Sequence, residues 1–209
     1  MKASKPTAGN NSQISWTLIL QIYGKAFMNY KNHNHTIQNG NIKLRPICET
    51  DWKYLFEWNK DKEILYFSEG DDVSEYSTEE TKQIYTHVSQ TADIFMIEYS
   101  NEIIGECWLQ EMNLNDIIEK LPKQNIYRID LMIGKKELWN KGIGSRVINM
   151  LTEYGVQEKN ADLIFAIISD YNLRSLKAFS KNNYVEYNRI KINSIKSREE
   201  IRLVFKNLK

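Results

Sequence analysis

The chain has 209 residues, 42% of them hydrophobic and 26% charged, enough for one well-buried domain and too few for two of ordinary size. A formal charge of +1 without any Lys/Arg-rich block gives no basis for a nucleic-acid surface, and two cysteines, Cys48 and Cys107, make no disulfide framework. With three histidines and no C-x-x-C pair no metal site is expected, and a reducing, cytoplasmic setting away from membranes fits the composition.

Residues 1–27 carry Lys2, Lys5 and Lys25 but no acidic residue, and the apolar run over 16–23 is short and broken by Gln21. This segment reads as an upstream extension without a function of its own, leaving a single domain over 28–209. Residues 29–40 are polar and aperiodic and read as a disordered lead-in, with His33 and His35 solvated. Asn39-Gly40 marks a turn, and Ile42, Leu44 and Pro46 fit a first strand. Thr50-Asp51 starts a helix with Trp52, Leu55, Phe56 and Trp58 along its inner face. Aromatic and acidic residues then mix. Tyr66, Phe67, Glu69, Asp71, Asp72 and Glu75 form either a wall that attracts cationic ligands or a solvated acidic loop. Ser77 or Thr78 caps the next helix.

Two strands joined at Ser100-Asn101 form a hairpin ending near Met112. Gly105 inside it signals a bulge or close backbone approach, and Glu106 continues the acidic theme. A strand over 126–133 holds Asp130, and a helix opens with Lys141-Gly142-Ile143-Gly144-Ser145 and continues with Val147, Ile148, Met150 and Leu151 at helical spacing. Glycines at such a junction let the backbone approach a phosphate, whose charge the first-turn N–H groups stabilise; the same pair equally suits a plain packing turn. The pattern is neither a P-loop nor a Rossmann fingerprint. The apolar run over 163–169 reads as a strand buried on both faces. A helix with Leu176 and Phe179 then opens near Asn172, and two strands, one from Tyr184 and one over 201–208, close the chain. The order β-α-α-β-β-β-α-β-α-β-β is α/β with a mixed sheet.

From about residue 42 to residue 208 the chain resembles the GNAT superfamily of N-acetyltransferases, whose signature is (Gln/Arg)-x-x-Gly-x-(Gly/Ala) between a strand and a helix. Here the turn is Trp139-Asn140-Lys141-Gly142-Ile143-Gly144. Within the family it is similar to the aminoglycoside 6'-N-acetyltransferases, through Tyr127-Arg128-Ile129-Asp130, Phe67-Ser68-Glu69-Gly70, Ile104-Gly105 and Asn172-Leu173-Arg174-Ser175 with Phe179. The resemblance implies a mixed, mostly antiparallel sheet flanked by helices and acetyl-CoA as donor. Its pyrophosphate would lie on Lys141, Gly142, Ile143, Gly144 and Ser145. Its pantetheine arm would lie on Leu131, Met132 and Ile133, with Asn172, Ser175 and Phe179 beside it. Asp130 is implied as the group that receives the acceptor amine, with Tyr66, Phe67, Glu69, Asp71 and Glu106 lining the acceptor site; a salt bridge from Asp130 to Arg128 is the structural alternative. The expected acceptor is a polyamine or aminoglycoside, and the expected state a monomer or homodimer. Trp139 departs from the family Gln/Arg, Phe179 from a frequent Tyr, and Ile167-Ile168 from an Asp-Pro. An opening like that of the RimJ/RimL enzymes keeps protein N-termini as a rival acceptor, and a non-catalytic acyl-CoA-binding module as another reading.

Overall fold

The computed structural model describes residues 29–69, 75–192 and 197–207. The extension expected over 1–27, and Asp71 and Asp72 of the acidic wall, lie outside the described residues. Eight strands form one sheet in the order β1-β2-β3-β4-β5-β6-β8-β7. They are β1 (Ile37–Asn39), β2 (Ile42–Pro46), β3 (Ala92–Tyr99), β4 (Glu102–Glu111), β5 (Ile126–Ile133), β6 (Leu163–Ser169), β7 (Val185–Lys191) and β8 (Glu199–Lys206). All neighbours are antiparallel except β5 and β6. The fold is therefore the mixed, mostly antiparallel sheet flanked by helices that the resemblance implies.

Period-two burial decides which helices cover which face. Phe95, Ile97, Cys107, Leu109 and Ile129 face one way, into a core shared with Val147, Ile148 and Leu151 of α5 (Ile143–Glu158) and Phe179 of α6 (Leu173–Ser180). Ile94, Met96 and Met132 face the other way, toward Leu55 and Trp58 of α1 (Trp52–Trp58), Ile64 and Leu65 of α2 (Lys62–Ser68), and Ile84, Tyr85 and Val88 of α3 (Thr78–Val88). A short helix, α4 (Asn115–Lys120), closes the lower end with Ile117 against Phe165 and Val204.

Local chemistry accounts for most boundaries. Ser77 caps α3 and exchanges hydrogen bonds with Glu80 in a capping box. Ser100 and Asn101 both take positive φ, 51° and 67°, as a tight hairpin turn requires. Asp51, fully buried, accepts two hydrogen bonds from Arg45 at 2.6 and 2.9 Å and one from the Cys48 backbone at 2.8 Å, pinning a 3₁₀ turn before α1.

Three elements depart from the sequence expectation. Residues 37–39 are paired, as β1 against β2, and are not a disordered lead-in. The preceding residues are also fastened, since His33 Nε2 lies 2.9 Å from the Ile94 carbonyl and its ring is 4.4 Å from that of Phe95. The acidic wall begins inside a helix, α2, because Asp61 accepts from the N–H groups of Glu63 and Ile64. Between the hairpin and the strand over 126–133, where the expected order has no element, stands α4.

At Gly105 an added Cβ would sit 2.2 Å from the Met132 carbonyl oxygen, so β4 approaches β5 more closely there than any side chain allows. Gly105→Ala is therefore expected to lower stability by roughly 3 kcal/mol, read as a lower urea midpoint, because backbone must move to admit the methyl group. An unchanged midpoint would contradict the close approach.

Candidate active site

The site begins where the sheet comes apart. β5 and β6 pair only through Ile126, Tyr127 and Arg128 with Leu163, Ile164 and Phe165. Beyond that point β6 continues with β8 to Ser169 and β5 continues with β4 to Ile133. The two strands diverge and, among the described residues, leave one edge of β5 without a strand partner, inside the sheet where backbone groups ordinarily pair. A cavity of about 330 Å³ fills the fork. Leu131, Met132 and Ile133 line it on the β5 side, and Asn172 and Ser175 on the β6–α6 side.

At one end of the slot lies the turn into α5. Gly142 has φ +77°, a left-handed conformation that favours glycine, and no side chain caps the helix. The first-turn N–H groups of a 16-residue helix thus face the slot beside Gly142, Ile143, Gly144 and Ser145. Gly144 is needed less strictly, since an added Cβ would make only ordinary contact, 3.4 Å from Leu131. Arg174 and Lys177 of α6 and Lys181 at its C-cap also line the slot, whereas Lys141 does not. The donor set of uncapped amides with a cationic helix face suits a phosphorylated ligand such as CoA.

The α2 helix forms the other wall through Ile64, Phe67 and Ser68. Its carboxyl end is tied across the fork: Tyr171 donates to the Tyr66 carbonyl at 2.5 Å and Asn172 Nδ2 to the Phe67 carbonyl at 2.9 Å. The Arg174 guanidinium lies 4.0 Å from the Phe67 ring centre and 3.9 Å from that of Trp139, in stacking range of both. Trp139 Nε1 in turn donates to the Ile133 carbonyl at 2.7 Å, satisfying one group at the end of β5.

Asp130 lies on the opposite face of β5 from the α5 core. It shares that face with its cross-strand partner Trp108 and with Glu106, opposite Met132. Its oxygens are both engaged: Arg128 grips them at 2.7 and 2.8 Å, and Trp108 Nε1 adds a third hydrogen bond at 2.9 Å. The structural alternative for Asp130 is thus present, though its side chain remains 26% exposed. Glu69 follows the slot-lining Ser68 at the carboxyl end of α2 and accepts from the Tyr76 hydroxyl at 3.0 Å. Burial, reinforced by the negative charge of Asp130, raises its carboxyl to about 7. Glu106 is buried, and its Oε2 has no hydrogen-bond partner among the described residues. Burial pushes it well above the usual carboxylate range, and Asp130 and Glu69 push it further.

The structure thus brings together two of the expected groupings, the slot residues and the carboxylates Glu69, Glu106 and Asp130. Phe179 lies outside the slot, buried with its ring 5.0 Å from that of Tyr184. The Tyr184 hydroxyl is 2.8 Å from Thr152 Oγ1 and buried, so it does not reach the slot. Tyr66 does not line the slot; its carbonyl accepts from the Tyr171 hydroxyl. Sequence reading missed Arg174, Lys177 and Lys181; their helical spacing after Asn172 was the available signal.

Residues 41–185 match the model of an acetyltransferase (GNAT) domain. Solved structures with the same fold include the spermidine N-acetyltransferase of Vibrio cholerae with CoA and spermine, at 17% identity and a TM-score of 0.66, covering 80% of this chain and 96% of that one. The aminoglycoside acetyltransferase AAC(6')-Ib with ribostamycin and CoA matches at 16% identity and a TM-score of 0.67, covering 79% and 93%. RimL, a ribosomal L7/L12 α-N-protein acetyltransferase, matches at 17% and 0.65, covering 82% and 98%. With its forked sheet, uncapped glycine turn and a domain match spanning most of its length, this chain belongs to the GNAT acetyltransferases, enzymes that use acetyl-CoA.

Proposed function

We propose that the protein transfers the acetyl group of acetyl-CoA to a primary amine of a polycationic small molecule, the 6'-amine of an aminoglycoside being the acceptor expected from the sequence. The observation that carries the donor half is the unpartnered edge of β5 beside the uncapped turn at Gly142. When bound, acetyl-CoA supplies an activated acetyl thioester. The amides of residues 143–145 hold its pyrophosphate, helped by Lys177 and Lys181, and the backbone of Leu131, Met132 and Ile133 supplies hydrogen bonds along the pantetheine arm.

The acceptor half rests on charge. Glu69, Glu106 and Asp130 face a common region, where Arg128 is already committed to Asp130 and Asn113. A bound ammonium would favour the ionised forms of these carboxyl groups and be held by them, so the region suits a cationic acceptor better than an anionic one. Asp130, immobilised by Arg128 and Trp108, orients the ammonium toward the slot. Capping an aminoglycoside amine would remove one charge and one donor that the drug needs to bind RNA, which is the basis for proposing a role in resistance. The spermine and aminoglycoside complexes of structural relatives support a polycation as acceptor.

Thiol release from acetyl-CoA should appear with kanamycin, tobramycin or spermine and not with a peptide bearing a free N-terminus. Release with the peptide alone would favour the RimL-like reading, and CoA binding without release on any amine would favour a binding module. Asp130→Asn should lower kcat/KM roughly 100-fold while the Kd for CoA stays unchanged; retained turnover would remove Asp130 from the site's chemistry. Gly142→Ala should raise the donor KM about fivefold, because alanine at this φ costs on the order of 1 kcal/mol.

A further inference from the structure

Resting on that reading, the described residues bring three carboxyl groups to the site, and among these one is placed to take a proton. Asp130 has both oxygens occupied by the Arg128 fork and Trp108, so accepting a proton would mean breaking a bidentate ion pair. Glu106 is 3% exposed, the least accessible of the three, with Tyr85 and its cross-strand neighbour Met132 beside it. Glu69 is half-buried, directly follows the slot residue Ser68, and has a neutral hydroxyl, that of Tyr76, as its hydrogen-bond partner. It also stands at the carboxyl end of α2, where the partial negative charge of the helix terminus disfavours an extra anion.

We propose that Glu69 is the proton acceptor of the reaction and that Asp130 is a positioning residue that holds the ammonium and tunes Glu69. One N–H bond of the ammonium breaks, its proton bonds to a Glu69 oxygen, and the nitrogen keeps the electron pair with which it attacks the acetyl carbonyl carbon. As the C–S bond breaks, the sulfur takes the electron pair and the second amine proton follows to give the thiol. A base with proton affinity near neutrality suits this transfer because the gap to an alkylammonium is small, whereas Asp130 would first have to leave the Arg128 fork. Among the described residues, the charged and titratable groups facing Glu69 are Tyr76 from the segment before α3, Tyr85 from α3, Glu106 from β4, and Arg128 and Asp130 from β5.

The signs are fixed by these neighbours. The reactive form of Glu69 is ionised, so kcat/KM should fall as pH drops through about 7. Asp130→Asn removes a repelling charge and should move this acid limb to lower pH. Tyr76→Phe removes a hydrogen bond to the ionised form and should move it to higher pH. Glu69→Gln should lower kcat about 100-fold with kanamycin or spermine, with partial recovery in Glu69→Asp and the Kd for CoA unchanged. In the resting enzyme, infrared titration of the protonated carboxyl band, wild type minus Glu69→Gln, should show one group lost near neutral pH. Glu69 titrating in the ordinary carboxylate range, or an acid limb that stays put in both Asp130→Asn and Tyr76→Phe, would overturn the proposal alone. No thiol release by the wild type at any pH would sink the acceptor reading and this proposal with it.

Discussion

The divergence of β5 from β6 is the constraint on which the rest depends. Each strand is held by a long antiparallel partner on its far side, β5 by β4 and β6 by β8, while only three residue pairs join them to each other. The shared α5 core keeps the base of the fork closed, with Val147, Ile148 and Leu151 packed on Ile129 and Ile164. Neither strand can slide to close the gap without breaking its own ladder and moving its inward side chains to the other face. The open edge is therefore a fixed property of the topology, and its unmatched backbone groups define a linear slot.

The two ends of that slot gather different groups for separate reasons. The donor end gathers helix-terminal amides, which the turn at Gly142 exposes, and the cationic face of α6. The acceptor end gathers carboxylates from three separate elements: Glu69 closes α2, Glu106 lies in β4 and Asp130 in β5. The α2 helix is the hinge between the ends. It lines the slot with Phe67 and Ser68, is fastened to the β6–α6 turn through Tyr171 and Asn172, and presents Glu69 beyond. A substitution at Phe67 would therefore touch donor and acceptor together. Trp139, in place of the family's usual polar residue, joins this contact by stacking with Arg174 and satisfying the Ile133 carbonyl.

What was legible in the sequence was what local chemistry dictates. The glycine turn and its helix, the Ser77–Glu80 cap and the Ser100-Asn101 hairpin each depend on a few neighbouring residues, and each formed as read. What was not legible depended on distant partners. β1 offers only Ile37 as an apolar anchor and exists because β2 pairs with it. α2 hides among acidic and aromatic residues, and only burial of Ile64 and Leu65 under the sheet reveals it. Phe179 takes the family's position yet turns into the core beside Tyr184, a choice made by packing and not by the motif. The distinct states of Glu69, Glu106 and Asp130 were likewise invisible, because burial and the reach of Arg128 decide them.

The central claim is that the free edge of β5 and the turn at Gly142 together receive the donor. Amide hydrogen exchange with and without CoA tests it directly. Slowed exchange at residues 131–133 and 143–145, with little change along β2 and β7, is the expected result. Protection confined to other segments, or CoA binding that leaves both stretches exchanging as before, would contradict the account.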